Sequence, residues 1–306
     1  MTVESRESRV KSPGPEICDR PGAAGFSSLD LRPSSAVAAF TLLELLVVIS
    51  ILGILAALTV PALKNFGKAD VNISASRQLL DGVARARQLA MSQRTTVYMV
   101  VVPTNFWMVS ATFGGPGTFP NSWWNLLTPA QTNAAVNLCG DQLSGYNFAA
   151  YGAIGDQPGQ HVWHYLAPWQ TLPDGAFIAL QKFASTNIIT DPITGVSYPI
   201  SPFRYTNNIP FPTETSPAGV WLPYIAFNYL GQLTVDGQTP AGRDEYIPLA
   251  HGSVLPAIDP NTRALQFGRA DVAEVPPGNS TNLAYNIVHI DWLTGRAVLE
   301  AHRIGP

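Results

Sequence analysis

The chain has 306 residues, a formal net charge of −3, 13% charged residues and 46% hydrophobic residues. This balance excludes both a disordered acidic tail and a nucleic-acid binder with a basic surface, and the 2 cysteines cannot support a disulfide framework or a four-ligand zinc site. The 25 glycines and 26 prolines exceed the average share and favour many turns between short strands.

Residues 1–39 have balanced acidic and basic side chains, with Pro, Gly and Ser scattered among them. The segment lacks the apolar periodicity of a helix or a strand, so we predict that it is disordered. It contains Cys18, so its removal would leave Cys139 as the remaining cysteine. We expect the Cys139 thiol to be buried rather than reactive.

An uncharged, mostly apolar run follows, from Leu45 to Leu63, between Glu44 and Lys64. As a helix it would span about 28 Å, close to the hydrocarbon thickness of a bilayer, roughly 30 Å. A cleaved secretory signal is disfavoured, because no small-residue cleavage site follows the run. The Lys and Arg residues on its two sides do not fix an orientation. We therefore predict a transmembrane helix over residues 40–63.

The start of this segment carries a small residue, a Phe and, four residues after the Phe, a Glu: Ala39, Phe40 and Glu44. The pattern resembles the class III signal of type IV prepilins and type II secretion pseudopilins, although that family usually has Gly at the position of Ala39. The resemblance implies that prepilin peptidase cuts between Ala39 and Phe40, that residues 1–39 are a leader peptide, and that Phe40 becomes the N-methylated amino terminus.

Three residues of the apolar segment are candidates for a role in assembly: Glu44, Gly53 and Pro61. A carboxylate at bilayer depth costs roughly 2.5–3.5 kcal/mol at a helix centre, and the new α-amino group of Phe40 would offset its charge. In the resembled family the Glu pairs with the amino terminus of a neighbouring subunit. Gly lowers helix stability and Pro removes a hydrogen bond, so we expect the helix to bend or unwind between Gly53 and Pro61.

Residues 64–94 continue the helix beyond the apolar segment. Leu79, Val83, Ala86 and Ala90 recur at helical spacing and form one apolar stripe. Arg77, Asp81 and Arg85 lie on the opposite face, where we expect solvent. The sequence thus predicts an amphipathic helix that packs its stripe on the domain that follows and ends near Gln93.

Residues 95–306 are predicted to form a β-rich ectodomain. The stretch from Thr95 to Val102 is rich in β-branched residues, and Phe106–Thr112 is its predicted partner strand. We interpret residues 114–159 as an insertion of loops, with one short helix near Pro129–Leu138. Further strands are predicted between turn signals at Trp163–Leu166, Ala176–Ala179, Ile225–Tyr229, Ala264–Phe267, Asn286–Asp291 and Ala297–Glu300, the last two as a hairpin with a Gly-containing turn.

The order of turns and strands from Leu172 to Arg296 looks like the carboxy-terminal sheet of GspH/FimT-type minor pseudopilins. The resemblance implies an α+β, pilin-like fold: one long N-terminal helix, half in the membrane and half amphipathic, packed on an antiparallel β-rich head. It also implies a bacterial inner-membrane protein with a single span, whose head lies in the periplasm or outside and which is incorporated into a pilus or pseudopilus.

Residues of catalytic type do not form a recognised motif. His161 and His164 are three apart but lack an evident third metal ligand, and Asp236, Asp244 and Glu245 lack the spacing of a calcium loop. The sequence has no H-E-x-x-H, G-x-S-x-G or P-loop motif. We therefore predict no enzyme, no cofactor, no metal site and no catalytic residue.

Two classes of function remain from the sequence. The favoured one is a structural subunit of a type II secretion pseudopilus or type IV pilus-like filament. Its partners would be prepilin peptidase, other pilin or pseudopilin subunits in a hetero-oligomeric filament, the inner-membrane assembly platform and the lipid bilayer, with no nucleic acid. The alternative is a membrane-anchored ectodomain with a ligand-binding or enzymatic role that uses a pilin-like anchor.

Overall fold

A computed structural model describes residues 41–104, 106, 126–152, 155–157, 161–184, 186–191, 195–282 and 286–300, with the side chains of residues 57–70 and 282 left undescribed. The predicted leader 1–39 and the predicted cleavage site at Ala39 and Phe40 lie outside these residues. The chain divides into two compact units, Met1–Ala56 and Ala57–Pro306. Helix α1 comprises Leu42–Gln93 and so contributes residues to both units.

In the first unit, the described part of α1 is apolar on all sides. Its large hydrophobic side chains from Leu42 to Leu55 are between 43% and 82% exposed. In the part of the chain that the structure describes, no helix combines the length and the apolar character needed to cross a membrane. The transmembrane helix predicted for residues 40–63 therefore stays a prediction.

The second unit combines helices with antiparallel sheets, which confirms the predicted α+β class. Its described elements after α1 are listed here in chain order: β1 Val97–Val101, α2 Pro129–Leu138, β2 Gly145–Tyr151, β3 Trp163–Tyr165, β4 Gln170–Thr171, β5 Ala176–Ile178, α3 Gln181–Ala184, β6 Asn187–Thr190, β7 Ser197–Ile200, β8 Arg204–Thr206, β9 Leu222–Phe227, β10 Leu233–Thr234, β11 Glu245–Leu255, β12 Asp271–Glu274, α4 Asn279–Asn282, β13 Ile287–Ile290 and β14 Ala297–Glu300.

Among the described residues the strands form three sheets, in which every pairing is antiparallel. The first sheet has the order β10-β9-β1-β2-β3, with β8 beside β9 and β4 beside β2. The second has the order β12-β11-β13-β14, with β5 beside β11, and β6 pairs with β7 alone. The strand that follows α1 thus lies inside the first sheet, between β9 and β2.

The apolar stripe of α1 is buried as predicted: Leu79, Val83, Ala86 and Ala90 are 0% exposed. They share one core with side chains of both large sheets, Met99 of β1 among them. Alternate side chains of a strand point to opposite faces, so the intervening residues of β1 belong to a second core, beside α2. The first sheet is therefore covered on both faces, by α1 on one and by α2 with its neighbouring loops on the other.

The predicted insertion of loops at 114–159 is wrong over its last part. The helix expected near Pro129–Leu138 is confirmed as α2, but Gly145–Tyr151 forms β2, an inner strand of the first sheet. Its first six residues are all buried, so the alternation that marks a half-buried strand is missing. Gly145 and Asn147 are also poor strand formers by propensity, which explains the error.

Most of the other strand predictions are confirmed within a few residues, as β1, β3, β5, β9, β13 and β14. The predicted strand Ala264–Phe267 is wrong, because only Leu265 forms an isolated bridge, with Ile258. The predicted partner Phe106–Thr112 lies outside the described residues except for Phe106. The neighbours of β1 are β2 and β9.

The hairpin of β13 and β14 is confirmed, with Ile287 opposite Glu300. Its turn begins with Asp291, whose side chain accepts hydrogen bonds from the backbone and the hydroxyl of Thr294 at 2.6 and 2.7 Å. Gly295 has φ of 62°, and a Cβ there would collide with the carbonyl oxygen of Gly231. This turn therefore requires Gly, both for its backbone conformation and for the close approach of the neighbouring loop.

Candidate functional site

The N-terminus of α1 is a capping box formed by Thr41 and Glu44. The backbone N–H of Glu44 donates to Thr41 Oγ1 at 3.2 Å, and the backbone N–H of Thr41 donates to Glu44 Oε2 at 3.5 Å. The Thr41 hydroxyl also donates to Glu44 Oε2 at 3.4 Å. Each side chain thus satisfies a backbone N–H that the first turn of a helix leaves free. Both side chains are exposed, and Glu44 has a local structural role beside any role in assembly.

Gly53 faces open space, because a Cβ built at this position meets nothing within 4 Å. No contact among the described residues therefore requires Gly here. Pro61 also lies within α1, which is continuous from Leu42 to Gln93. Unwinding between Gly53 and Pro61 is not observed in this state, and the flexible joint stays a prediction for an assembled one.

Comparison with known protein families concerns this same segment. Residues 34–60 match the prokaryotic N-terminal methylation motif. Comparisons with curated proteins and with solved structures give no match. The methylation motif supports the prepilin-type interpretation of the N-terminal segment, and it implies processing by prepilin peptidase and pilin-type assembly.

The methylation motif includes Ala39, Phe40, Glu44 and Gly53, whereas Pro61 follows its last matched residue. It covers 27 residues and leaves residues 61–306 without a family match. The specific roles of these residues and the likeness to GspH/FimT-type minor pseudopilins are thus not tested by the match.

Outside the methylation motif, the two histidines considered as metal ligands have separate partners. His164 Nε2 lies 3.1 Å from Asp156 Oδ1, whereas the ring of His161 packs against Tyr151, with 5.4 Å between the ring centroids. Each ring is therefore engaged in its own local contact. Among the described residues, no group of three or more His, Cys, Asp or Glu side chains is placed to hold a metal ion.

The three acidic residues near one another in sequence, Asp236, Asp244 and Glu245, have different partners. Asp236 accepts hydrogen bonds from the backbone of Gln238 and Thr239, and these bonds hold the pKa of its carboxyl below the ordinary value. Asp244 lies 3.0 Å from His289 Nε2, and Glu245 pairs with Lys182. Each carboxylate holds a different segment of the head.

The buried ion pair of Lys182 and Glu245 was missed by the sequence reasoning. Lys182 is 0% exposed, its ammonium group donates to Glu245 and, at 2.7 Å, to the carbonyl of Ser201, and it lies 5.0 Å from the centroid of the Phe203 ring. Burial lowers the pKa of Lys182, and Glu245 counteracts this effect. A lone Lys within the apolar stretch 176–184 was the signal that could have indicated it.

A second cluster of ionisable groups, around His289 of β13, links the neighbouring strands of the second sheet. His289 Nδ1 lies 2.9 Å from Glu300 of β14, and Nε2 lies 3.0 Å from Asp244, before β11. The imidazole stacks on Tyr246, with 4.5 Å between the centroids and 15° between the planes. Asp244 and Glu300 are far apart in sequence, so spacing alone gives no hint of this cluster.

The free thiol behaves as predicted. Cys139 is 0% exposed at the end of α2, and burial raises the pKa of its thiol to about 12. A thiol in this environment is a poor nucleophile.

Proposed function

We propose that the chain is a minor pseudopilin or pilin that assembles into a type II secretion pseudopilus or a type IV pilus-like filament. Prepilin peptidase would cut between Ala39 and Phe40, and Phe40 would become the N-methylated terminus. The mature chain would cross the bacterial inner membrane once, with its head in the periplasm or outside. The observation that carries this proposal is the methylation motif at residues 34–60.

The surface of the first unit supports the proposal. Large apolar side chains from Leu42 to Leu55 are exposed on all faces of the helix, and no part of the described chain covers them. Exposed apolar area of this extent is unfavourable in water, so it needs a lipid or protein environment. A filament subunit enters both environments in turn, because it is stored in the bilayer and then packed against other subunits.

For the head we propose a structural rather than a catalytic role. The ionisable groups of Lys182, Glu245, His289 and Glu300 each hold one segment of the head against another. We propose that the head is a non-catalytic module of the GspH/FimT-type. An amphipathic helix packed on antiparallel strands that end in a hairpin agrees with that type. A large head also suits a minor subunit, because it is difficult to repeat along a tightly packed helical array.

The first test is the mass of the mature amino terminus after expression with a prepilin peptidase. We expect a chain that starts at N-methylated Phe40. Recovery of the chain with Met1 retained, under conditions in which a control prepilin is processed, would overturn the proposal.

The second test separates the charge of Glu44 from its capping role. Gln can replace Glu in a capping box, so Glu44→Gln keeps the helix start but removes the charge, whereas Glu44→Val removes both. We expect both variants to reach the membrane and both to fail to enter filaments. If Glu44→Gln assembled normally and only Glu44→Val failed, the contribution of Glu44 would be capping and not a charge pairing between subunits.

A further inference from the structure

A groove of about 570 Å³ lies in the second unit, where the exposed face of α1 meets β2 and β4. The α1 side contributes Arg77, Asp81 and Arg85, and the strand side contributes Tyr146 and Gln170. All the lining residues are within the described part of the chain. The groove is on the face of α1 that the sequence predicts to be merely solvated.

The two arginines of the groove are exposed, and the guanidinium of Arg85 lies 5.7 Å from the centroid of the Phe148 ring. Within the described part of the chain, neither Arg77 nor Arg85 has a carboxylate within 4.0 Å, so the i, i+4 pairing that the acid-first order of Asp81 and Arg85 favours does not form. Eight residues of helix separate the two guanidinium-bearing positions by about 12 Å along the axis. The groove therefore has two separated cationic groups with one carboxylate between them.

Tyr146 supplies a buried donor to the same groove. Its side chain is 1% exposed, and its hydroxyl accepts a long hydrogen bond of 3.4 Å from Gln78 Nε2. No acceptor for the hydroxyl proton is found among the described residues. Burial raises the pKa of Tyr146, so the hydroxyl keeps this proton at neutral pH.

Gly82 allows the ring of Tyr146 to lie against α1. A Cβ at this position would approach the ring to 3.2 Å, which is closer than ordinary van der Waals contact. Gln78 adds a second constraint, because its amide donates to the carbonyl of Thr171 at 2.6 Å. The position of the tyrosine hydroxyl is thus fixed by packing before any ligand arrives.

We propose that this groove binds an acidic segment of a neighbouring filament subunit, with carboxylates on Arg77 and Arg85 and a hydrogen bond from the Tyr146 hydroxyl. The proposal rests on the proposed function for the identity of the partner, but not for the chemistry of the groove. Tyr and Arg are the residue types that most often dominate binding at protein interfaces. Two carboxylates about 12 Å apart would pass on either side of Asp81.

A protein segment fits the groove better than a nucleic acid or an anionic membrane. The carboxylate of Asp81 repels a continuous polyanion, and the chain as a whole has a net charge of −3. Ile73, which also lines the groove, is 49% exposed and offers an apolar contact that a phosphate backbone does not use. Ile73 lies one helical turn before Arg77, so an apolar side chain next to the carboxylate on Arg77 would cover it.

The test is a calorimetric titration of the full chain in detergent micelles with acetyl-Glu-Leu-Ala-Glu-amide, at low salt. The same peptide with Gln in place of Glu is the neutral comparison. Arg77→Gln with Arg85→Gln removes the two cations, and Tyr146→Phe removes the hydroxyl. Arg263→Gln with Arg269→Gln is the matched control, because it removes two exposed arginine charges outside the groove.

We expect the acidic peptide to bind at least about fivefold more tightly than the neutral one, since charge complementarity adds to a shared apolar contact. The groove double variant should weaken binding about tenfold, Tyr146→Phe about threefold, and the control double variant less than about twofold. Absence of binding, or an equal loss in the two double variants, would overturn the proposal. So would tighter binding of an oligodeoxythymidylate or of phosphatidylglycerol vesicles.

The mass of the amino terminus, measured on the same preparation, separates the two proposals. A methylated Phe40 without peptide binding would overturn the groove and leave the filament function standing. A retained Met1 with specific peptide binding would overturn the filament function and leave an acidic-peptide site.

Discussion

Two stretches of α1 differ in what covers their apolar side chains. From Leu42 to Leu55 these side chains are exposed on every face, whereas in the stretch 75–90 one stripe of them, from Ala75 to Ala90, is completely buried. Both stretches are helical and contain Leu and Val, but the first also has Ile where the second has Ala. The difference teaches that the second stretch buries its stripe against its own chain, whereas no described residue covers the first.

The largest expected effect is the difference in stability between two variants that each place a charged residue in one of the stretches. Val83→Asp buries an unpaired carboxylate in the core beneath α1 and should lower the free energy of unfolding of the head by about 4 kcal/mol or more. Val47→Asp should change that free energy by less than about 0.5 kcal/mol, because Val47 is 47% exposed and outside the core. Urea unfolding of both variants in detergent measures the difference.

Membrane association should be affected in the opposite order by the same two variants. Val47→Asp should reduce stable membrane association, because a charged residue in a spanning helix costs roughly 2.5–3.5 kcal/mol near its centre. A head destabilised equally by Val47→Asp would break the comparison, since it would mean that the exposed stretch is covered by its own chain.

A second prediction concerns the buried ion pair of the head. Glu245→Gln leaves the ammonium group of Lys182 buried without its counter-ion and should destabilise the head by about 3 kcal/mol. Lys182→Met combined with Glu245→Leu should restore most of this loss, because it removes both charges together. Thermal unfolding of the single and double variants tests the coupling. If the losses in stability of the two single variants added up in the double variant, Lys182 and Glu245 would not be energetically coupled.

The smallest effect expected comes from the two capping boxes, one in each unit. In α2, Gln131 N–H donates to Thr128 Oγ1 at 3.4 Å, and Thr128 N–H donates to Gln131 Oε1 at 2.9 Å. Thr128→Ala should therefore cost the head about 1 kcal/mol of stability. Thr41→Ala should leave the stability of the head unchanged. Chemical denaturation distinguishes them, and equal losses would show that the head depends on the start of α1.

The sequence was most informative where side chains follow a regular period. The stripe from Leu79 to Ala90 and the strand β1 could be predicted because each has one periodicity and clear ends. The hairpin of β13 and β14 was predictable from its Gly-containing turn. The N-terminal segment was recognised from a local pattern, which the methylation motif supports.

The remaining features depend on contacts between residues far apart in sequence, which the spacing of residue types along the chain does not indicate. β2 lacks alternation because both of its faces are buried, by α1 on one side and by α2 with its neighbours on the other. β11 contains Pro248 and Gly252, which argue against a long strand, yet it pairs with β5, β12 and β13 along its length. The groove beside Tyr146 could not be predicted either, because its lining joins α1 to strands more than sixty residues later.

One contact within the head ties its first helix to its last hairpin. Arg87 of α1 donates through Nε to the carbonyl of Thr294 at 2.7 Å, and Val288 and Ile290 of β13 lie in the same core as Val83. During synthesis, the stripe of α1 emerges about two hundred residues before these partners. The head thus cannot close its core until the chain has been made as far as β13 and its turn, so the amino-terminal methylation motif emerges long before the head is folded.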